Sequence, residues 1–283
     1  KGGVGKTTCA VSIALQLARA QQDKQFTILS VDPAHTLPRV FENEKPPANL
    51  HVEAIDTTSQ WRALRDRVQD QLRSAIDALT PGGLTVSYDK EAIEKLIEIA
   101  PPGADEIFAV MRLAELIDDP KQHGIIVDTA PTGHFLRLLD LPKTAGDWVH
   151  EFMRLLLRYR EIMPPGTLGE ELVAASRALR TVDDALRSKD CAAIVVMRPE
   201  RVVVAETTRL IDELSRRGIA IGAIIANYIT PNTDDSCDQS MRHYELESLA
   251  ALGQTVQIER RPAPVTALDD LARLVPVAHS TRG

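Results

Sequence analysis

Aromatic residues are scarce in this chain of 283 residues. They make up 4% of it, whereas hydrophobic residues in total make up 44%, so its core must be aliphatic. Cysteine is scarcer still. The three thiols, Cys9, Cys191 and Cys237, are far apart and form no CxxC pair. That excludes a disulfide framework and suits a reducing compartment. No run of about 18 apolar residues occurs, so no segment of this sequence reads as a membrane-spanning helix. No signal peptide is evident either. Positive charge is in deficit, with 33 Lys and Arg against 40 Asp and Glu and a net charge of −7, which argues against a nucleic-acid partner. The length accommodates one large α/β domain or two smaller ones, and the composition points to the cytoplasm.

What the sequence does have begins at its first residues, Lys1-Gly2-Gly3-Val4-Gly5-Lys6-Thr7-Thr8. A Gly-rich turn ending in Gly5-Lys6-Thr7 is a phosphate cradle. Glycines let backbone N–H groups close around a polyphosphate, and the helix that follows points its positive end at the same charge. Lys6 reaches the β- and γ-phosphates, and the Thr7 hydroxyl is a ligand for Mg²⁺. An apolar helix starting at Thr7 supplies the required context, with Ala10, Ile13, Ala14, Leu17 and Ala18 at helical spacing. Gly2, Gly3, Val4 and Thr8 complete the expected nucleotide-binding turn. Such a loop normally follows a buried strand and opens with another Gly, and both are expected ahead of Lys1. Lys1 itself is an additional Lys of the kind that marks the deviant Walker group, in which it reaches across a dimer to the partner's nucleotide.

Two strands ending in carboxylates come next. Phe26–Val31 is a short apolar run ending at Asp32, and Gly124–Val127 is another ending at Asp128. A carboxylate at the C-terminal end of a parallel strand lies where α/β folds bind their ligands. Asp32 is placed to orient or deprotonate an attacking water, and Asp128 to hold a water on Mg²⁺. Leu50–Ile55 alternates as a further strand. Helical patterns between it and Gly124, and again from Thr144 to Lys189, carry no strands and read as insertions on the sheet. Their apolar stripes (Val149, Phe152, Met153, Leu156, Leu157 and Met163; Leu168, Leu172, Ala175, Leu179, Val182 and Leu186) fit either helix–helix packing, the commoner case, or a client groove with methionine in its wall. Strands at Cys191–Met197, Ile219–Ala226 and Val256–Ile258 alternate with helices at Val202–Arg217, Cys237–Leu252 and Val265–Leu274.

The motifs Asp32-Pro33-Ala34-His35 and Asp128-Thr129-Ala130-Pro131-Thr132-Gly133-His134, followed by Leu136-Arg137 and Leu141-Pro142, resemble those of the ArsA family. That family contains the arsenite-pump ATPases and the ATPases that target tail-anchored proteins to membranes. The resemblance implies a P-loop NTPase fold, with a mainly parallel, doubly wound sheet flanked by helices. A single domain is expected over residues 1–283, carrying an inserted helical subdomain from about 59–118 and 144–189. It implies that Lys6 and Thr7 hold phosphate and Mg²⁺, that Asp32 positions the water, and that Lys1 crosses to a partner. Asp32, Pro33, His35, Asp128, Pro131, Gly133 and His134 become switch residues. For the two histidines, a hydrogen-bonding spacer and a proton carrier fit equally. Asn227 would bond the adenine, where a turn-forming Asn is the alternative, and Pro262 would lie against it. One departure is Thr36, which stands where the targeting ATPases usually carry Asn.

Cysteine then limits the choice of role. The eukaryotic targeting ATPases share a zinc ion between subunits through a CxxC pair. Here Cys237 stands with Met241 rather than a second Cys, so a dimer offers two thiolates where a structural zinc site needs four ligands, and no zinc is expected. Between Thr57 and Lys189 there is no cysteine at all, which removes the thiolate arsenite site of the bacterial pump ATPases. The expected activity is Mg²⁺-dependent ATP hydrolysis in a homodimer, or with a second homologous half. Opening and closing of that dimer would energise transport of an anion such as arsenite by a membrane transporter subunit. The alternative is a cytosolic carrier for hydrophobic tail-anchored clients, and a MinD/ParA-like positioning role ranks last. The chain is expected to be cytoplasmic and peripherally associated with membranes when engaged.

Overall fold

The computed structural model describes residues 3–32, 36–56, 59, 63, 66, 106–129, 139–140, 146–147, 150, 153–154, 166–263, 265 and 267–276. In chain order its elements are α1 (Lys6–Ala20), β1 (Gln25–Ser30), α2 (Leu37–Val40), β2 (Leu50–Ala54), α3 (Glu106–Asp118), β3 (Gln122–Asp128), α4 (Gly166–Leu186), β4 (Ala193–Met197), α5 (Arg201–Arg216), β5 (Ile221–Ile229), α6 (Ser236–Leu249), a 3₁₀ turn (Ala250–Leu252), β6 (Val256–Glu259) and α7 (Leu268–Ala272). The chain divides into two compact units. One comprises Lys1–Ala54, Pro120–Thr132 and Ala185–Gly283, and the other Ile55–Asp119 and Gly133–Asp184.

The first unit holds every described strand. They pair as two three-stranded sheets, ordered β2-β1-β3 and β4-β5-β6, and every pairing is parallel. This is the α/β architecture of parallel sheets with flanking helices. Parallel strands buried on both faces carry apolar runs, and β1 is buried from Phe26 to Ser30, with Phe26, Ile28 and Leu29 beside the buried hydroxyls of Thr27 and Ser30. α1 presents Val11, Ala14, Leu15 and Ala18 to Phe26, Ile28, Leu50 and the α7 residues Leu268, Leu271 and Ala272. Each fully buried Leu or Ile in that cluster contributes roughly 1.5–3 kcal/mol. Cys9 and Ile13 pack with Ile225 and Ile258, so the same helix is also fixed against β5 and β6.

In the second unit the described helices are α3 and most of α4. α3 buries Ile107, Val110 and Ala114, and α4 buries Leu172, Ala175, Leu179 and Val182, each along one face. The α4 stripe is therefore packed against protein. The other stripe, Val149 to Met163, lies outside the described residues but for Met153, and so does most of the helical pattern expected between β2 and α3.

Most boundaries shift by one to three residues from the sequence expectation, and the following shifts bear on the site and the core. α1 begins at Lys6 rather than Thr7. β5 runs on through Asn227 to Ile229, so Asn227 sits within the strand rather than after it. The last helix is Leu268–Ala272 instead of Val265–Leu274, because Ala267 is extended (ψ 137°) and the Leu268 N–H is capped from far away by Glu44 Oε2 at 2.9 Å.

Candidate functional site

The loop before α1 is built on two left-handed glycines, Gly3 (φ +75°) and Gly5 (φ +94°). Gly5 is the N-cap of α1 and offers no side chain. Helical bonding begins with Cys9 N–H to Gly5 O at 2.9 Å. The amides before Cys9 have no carbonyl to bond within the helix, and such amides at the positive helix end form an anion site. A side chain at Gly5 is excluded twice over. Its backbone is left-handed, and a Cβ would lie 2.3 Å from Asn227 Nδ2.

Asn227 is 7% exposed and closes this loop from β5. Its Nδ2 donates to Val4 O at 2.9 Å, and its Oδ1 accepts from Tyr228 N–H at 3.0 Å. It remains a candidate for an adenine edge through its second N–H, while its first holds the phosphate loop. Tyr228 follows in the left-handed region (φ +66°) at a register irregularity between Asn227 and Ile229, with the Arg198 guanidinium 4.5 Å above its ring. Sequence reasoning missed both the clasp and the irregularity. A tyrosine in mid-strand gives no warning of positive φ.

The two aspartates meet at the C-terminal ends of adjacent strands. Ser30 of β1 pairs with Asp128 of β3, and Val31 N–H donates to Asp128 O at 3.0 Å. Asp128 is 2% exposed, yet neither carboxylate oxygen has a hydrogen-bond partner of normal geometry. Burial pushes its carboxyl above the ordinary value. The nearby Thr7 hydroxyl opposes that shift, the Asp32 charge adds to it, and the Lys6 cation opposes it. A buried carboxylate of this kind beside a threonine hydroxyl fits a divalent cation, whose charge would hold the carboxylate ionised. Thr7, Asp128 and their neighbours Lys6 and Asp32 are the residues that would surround it. Among the described residues no group of three His, Cys, Asp or Glu side chains is gathered for a metal.

Asp32 is half-buried, and its N–H donates to Ser30 Oγ at 3.3 Å. Pro262 is exposed after β6. Lys1, Gly2, Pro33, His35, Pro131, Gly133 and His134 lie outside the described residues. Cys237 is exposed at the start of α6, and Met241 on the same helix is 50% exposed. No helix among the described residues is long and apolar enough to cross a membrane.

A family model described as anion-transporting ATPase matches residues 1–255. The chain is 28% identical to an ATPase ARSA1 of Chlamydomonas reinhardtii, over 95% of this chain and 40% of that protein. It is 29% identical to an ATPase GET3 of Kluyveromyces lactis, over 87% of this chain and 76% of that one. It is also 29% identical to a putative arsenical pump-driving ATPase 2 of Aquifex aeolicus, over 88% of this chain and 85% of that protein. The chain thus spans well under half the length of the algal relative.

Proposed function

The chain belongs to the anion-transporting ATPase family, the ArsA family, and from that premise we propose that it hydrolyses Mg²⁺–ATP and uses the cycle to energise anion transport by a membrane pump. The observation that carries the hydrolytic reading is Asp128. A buried carboxylate with no hydrogen-bond partner of normal geometry, near only the Thr7 hydroxyl and the Lys6 cation, is costly unless a cation completes it. Mg²⁺, when bound with nucleotide, supplies neutralisation of phosphate charge. The protein's own groups do the rest. Loop N–H groups and Lys6 hold the phosphates. Asp128, with Thr7, would hold the metal, with its carboxylate acting through a water. Asp32 orients the attacking water and accepts its proton. Lys1 of a partner subunit completes the charge clamp. Catalysis in this scheme is positioning and charge stabilisation, with no covalent intermediate. The helical unit changes shape as a two-fold dimer closes and opens.

The second reading is a carrier for tail-anchored membrane proteins. It is supported by the motif resemblance and by the GET3 relatives, which match as well as the pump-driving one. Stimulation of turnover by arsenite favours the pump, and capture of a tail-anchored peptide favours the carrier. For the hydrolytic step, Asp32→Asn is expected to bind Mg²⁺–ATP but to lose on the order of 10² or more in turnover. Normal hydrolysis by that variant would overturn the role given to Asp32.

A further inference from the structure

Thr36 stands at the N-cap position of α2, where a threonine side chain normally accepts a hydrogen bond from the second or third helical N–H. Here it caps nothing. The sequence explains part of this, since the second helical residue is Pro38, which has no N–H to give. The hydroxyl goes elsewhere. Thr36 Oγ1 lies 3.4 Å from Thr7 Oγ1, across a sequence separation of 29 residues. That is long for a hydroxyl–hydroxyl bond, which is usually about 2.7–2.8 Å. It is close to the separation of two neighbouring ligands on an octahedral Mg²⁺, about 3 Å for metal–oxygen distances of about 2.1 Å. Beside the same Thr7 lies the buried carboxylate of Asp128, whose oxygens have no hydrogen-bond partner of normal geometry.

We propose that Thr36 is a further metal-positioning residue, its hydroxyl taking a place beside Thr7 in the coordination shell of the nucleotide-bound Mg²⁺. This rests on the Mg²⁺–ATP reading above and deepens it. It gives the segment after Asp32 a direct grip on the metal: the hydroxyl that α2 leaves uncapped becomes the link between the metal and the start of that helix. A purely structural role would instead tie Thr36 to Thr7 with or without metal.

The experiment separates these with a fluorescent ATP analogue and the full chain. Binding is measured in excess EDTA, and then as a function of Mg²⁺ at fixed nucleotide, for wild type, Thr36→Val and Thr36→Ser. Thr36→Val is expected to raise the Mg²⁺ concentration at half-saturation roughly tenfold, the scale of one lost contact to a charged group. Thr36→Ser should stay within about twofold of wild type, and metal-free affinity should be the same in all three. Thr36 is solvent-exposed, so the variants should fold. Should Thr36→Val not do so, Thr36→Ala provides the same comparison. Wild-type Mg²⁺ dependence in the variant lacking the hydroxyl overturns the proposal. So does a parallel loss of metal-free affinity, which would mark a structural role. A wild type whose nucleotide binding ignores Mg²⁺ would sink the Mg²⁺–ATP reading itself, and this inference with it.

Discussion

Replacing Gly5 with alanine tests how the phosphate loop is held. The left-handed backbone at φ +94° costs an alanine about 1–2 kcal/mol. The new Cβ would also stand 2.3 Å from Asn227 Nδ2. Asn227 has to swing away, which breaks its 2.9 Å bond to Val4 O. Losing that bond in a buried setting costs about 1–3 kcal/mol. Gly5→Ala is therefore expected to destabilise the loop by about 3 kcal/mol, and Asn227→Ala alone by about 2 kcal/mol. Simple additivity would put the double variant at about 5 kcal/mol, but the bond can be lost only once. With the obstructing amide gone, only the backbone cost and the one lost bond remain, so the double variant should also cost about 3 kcal/mol, a coupling of about 2 kcal/mol. Urea unfolding followed by circular dichroism gives the totals. Hydrogen exchange at amides of α1 and β5 locates the loss. An additive double variant, or a Gly5→Ala cost below about 1 kcal/mol, would refute the claim that Asn227 and Gly5 share one tight contact.

The remaining expectations concern charge and thiols. Asp128→Asn puts a neutral amide in place of a carboxyl whose charged form burial disfavours, so without metal its melting temperature should rise relative to wild type as pH rises, while Mg²⁺-dependent nucleotide binding weakens. The pH dependence follows the sign of the shift. Asp128 binds its proton more tightly folded than unfolded, so its stabilising contribution is complete below the unfolded pKa and disappears as pH rises through the raised folded value. Metal-free melts of wild type should show that loss and those of Asp128→Asn should lack it; coincident profiles would contradict the assignment. Among the thiols, Cys237 is exposed, whereas Cys9 is 1% exposed and burial pushes its pKa up to about 12. Iodoacetamide near pH 8 should label Cys237 and spare Cys9 in the native chain. Mass spectrometry showing both labelled at similar rates would mean that α1 is not packed as described.

The phosphate loop and its two aspartates were legible in the sequence because the ligand constrains them. Phosphate geometry fixes the offsets of Gly5, Lys6 and Thr7, and a parallel strand has to deliver Asp128 at its C-terminal end. β1 and β3 were legible through short apolar runs, Ile28 and Leu29 in one and Ile125 to Val127 in the other, each leading to an aspartate. What stayed hidden depends on partners remote in sequence. Asn49, on the turn before β2, donates from its side-chain amide to Ala18 O, Gln21 O and Lys24 O and so closes the C-terminal end of α1. The extension of β5 past Asn227 is held by Glu245 of α6, whose carboxylate accepts from Thr230 N–H at 2.7 Å and from its hydroxyl at 3.0 Å. The start of α7 is set by Glu44. No local propensity encodes any of these.

Asn227 shows why a residue can be identified from sequence while its work is not. An amide suits an adenine edge, and that is the role its position suggested. In the fold the same amide first serves the loop, giving one N–H to Val4 O and taking Tyr228 N–H on its oxygen. A carboxamide has two N–H groups and two acceptor lone pairs, so one donor and one acceptor site remain for a base. Aspartate has the same shape but no N–H for Val4, and would set a negative charge against a turn built to receive phosphate. Glutamine carries an extra methylene into a space where Nδ2 already limits Gly5 to a hydrogen. Asparagine therefore satisfies the clasp on the loop and leaves one N–H over. The physical demand on position 227 that the fold shows comes from the turn before α1.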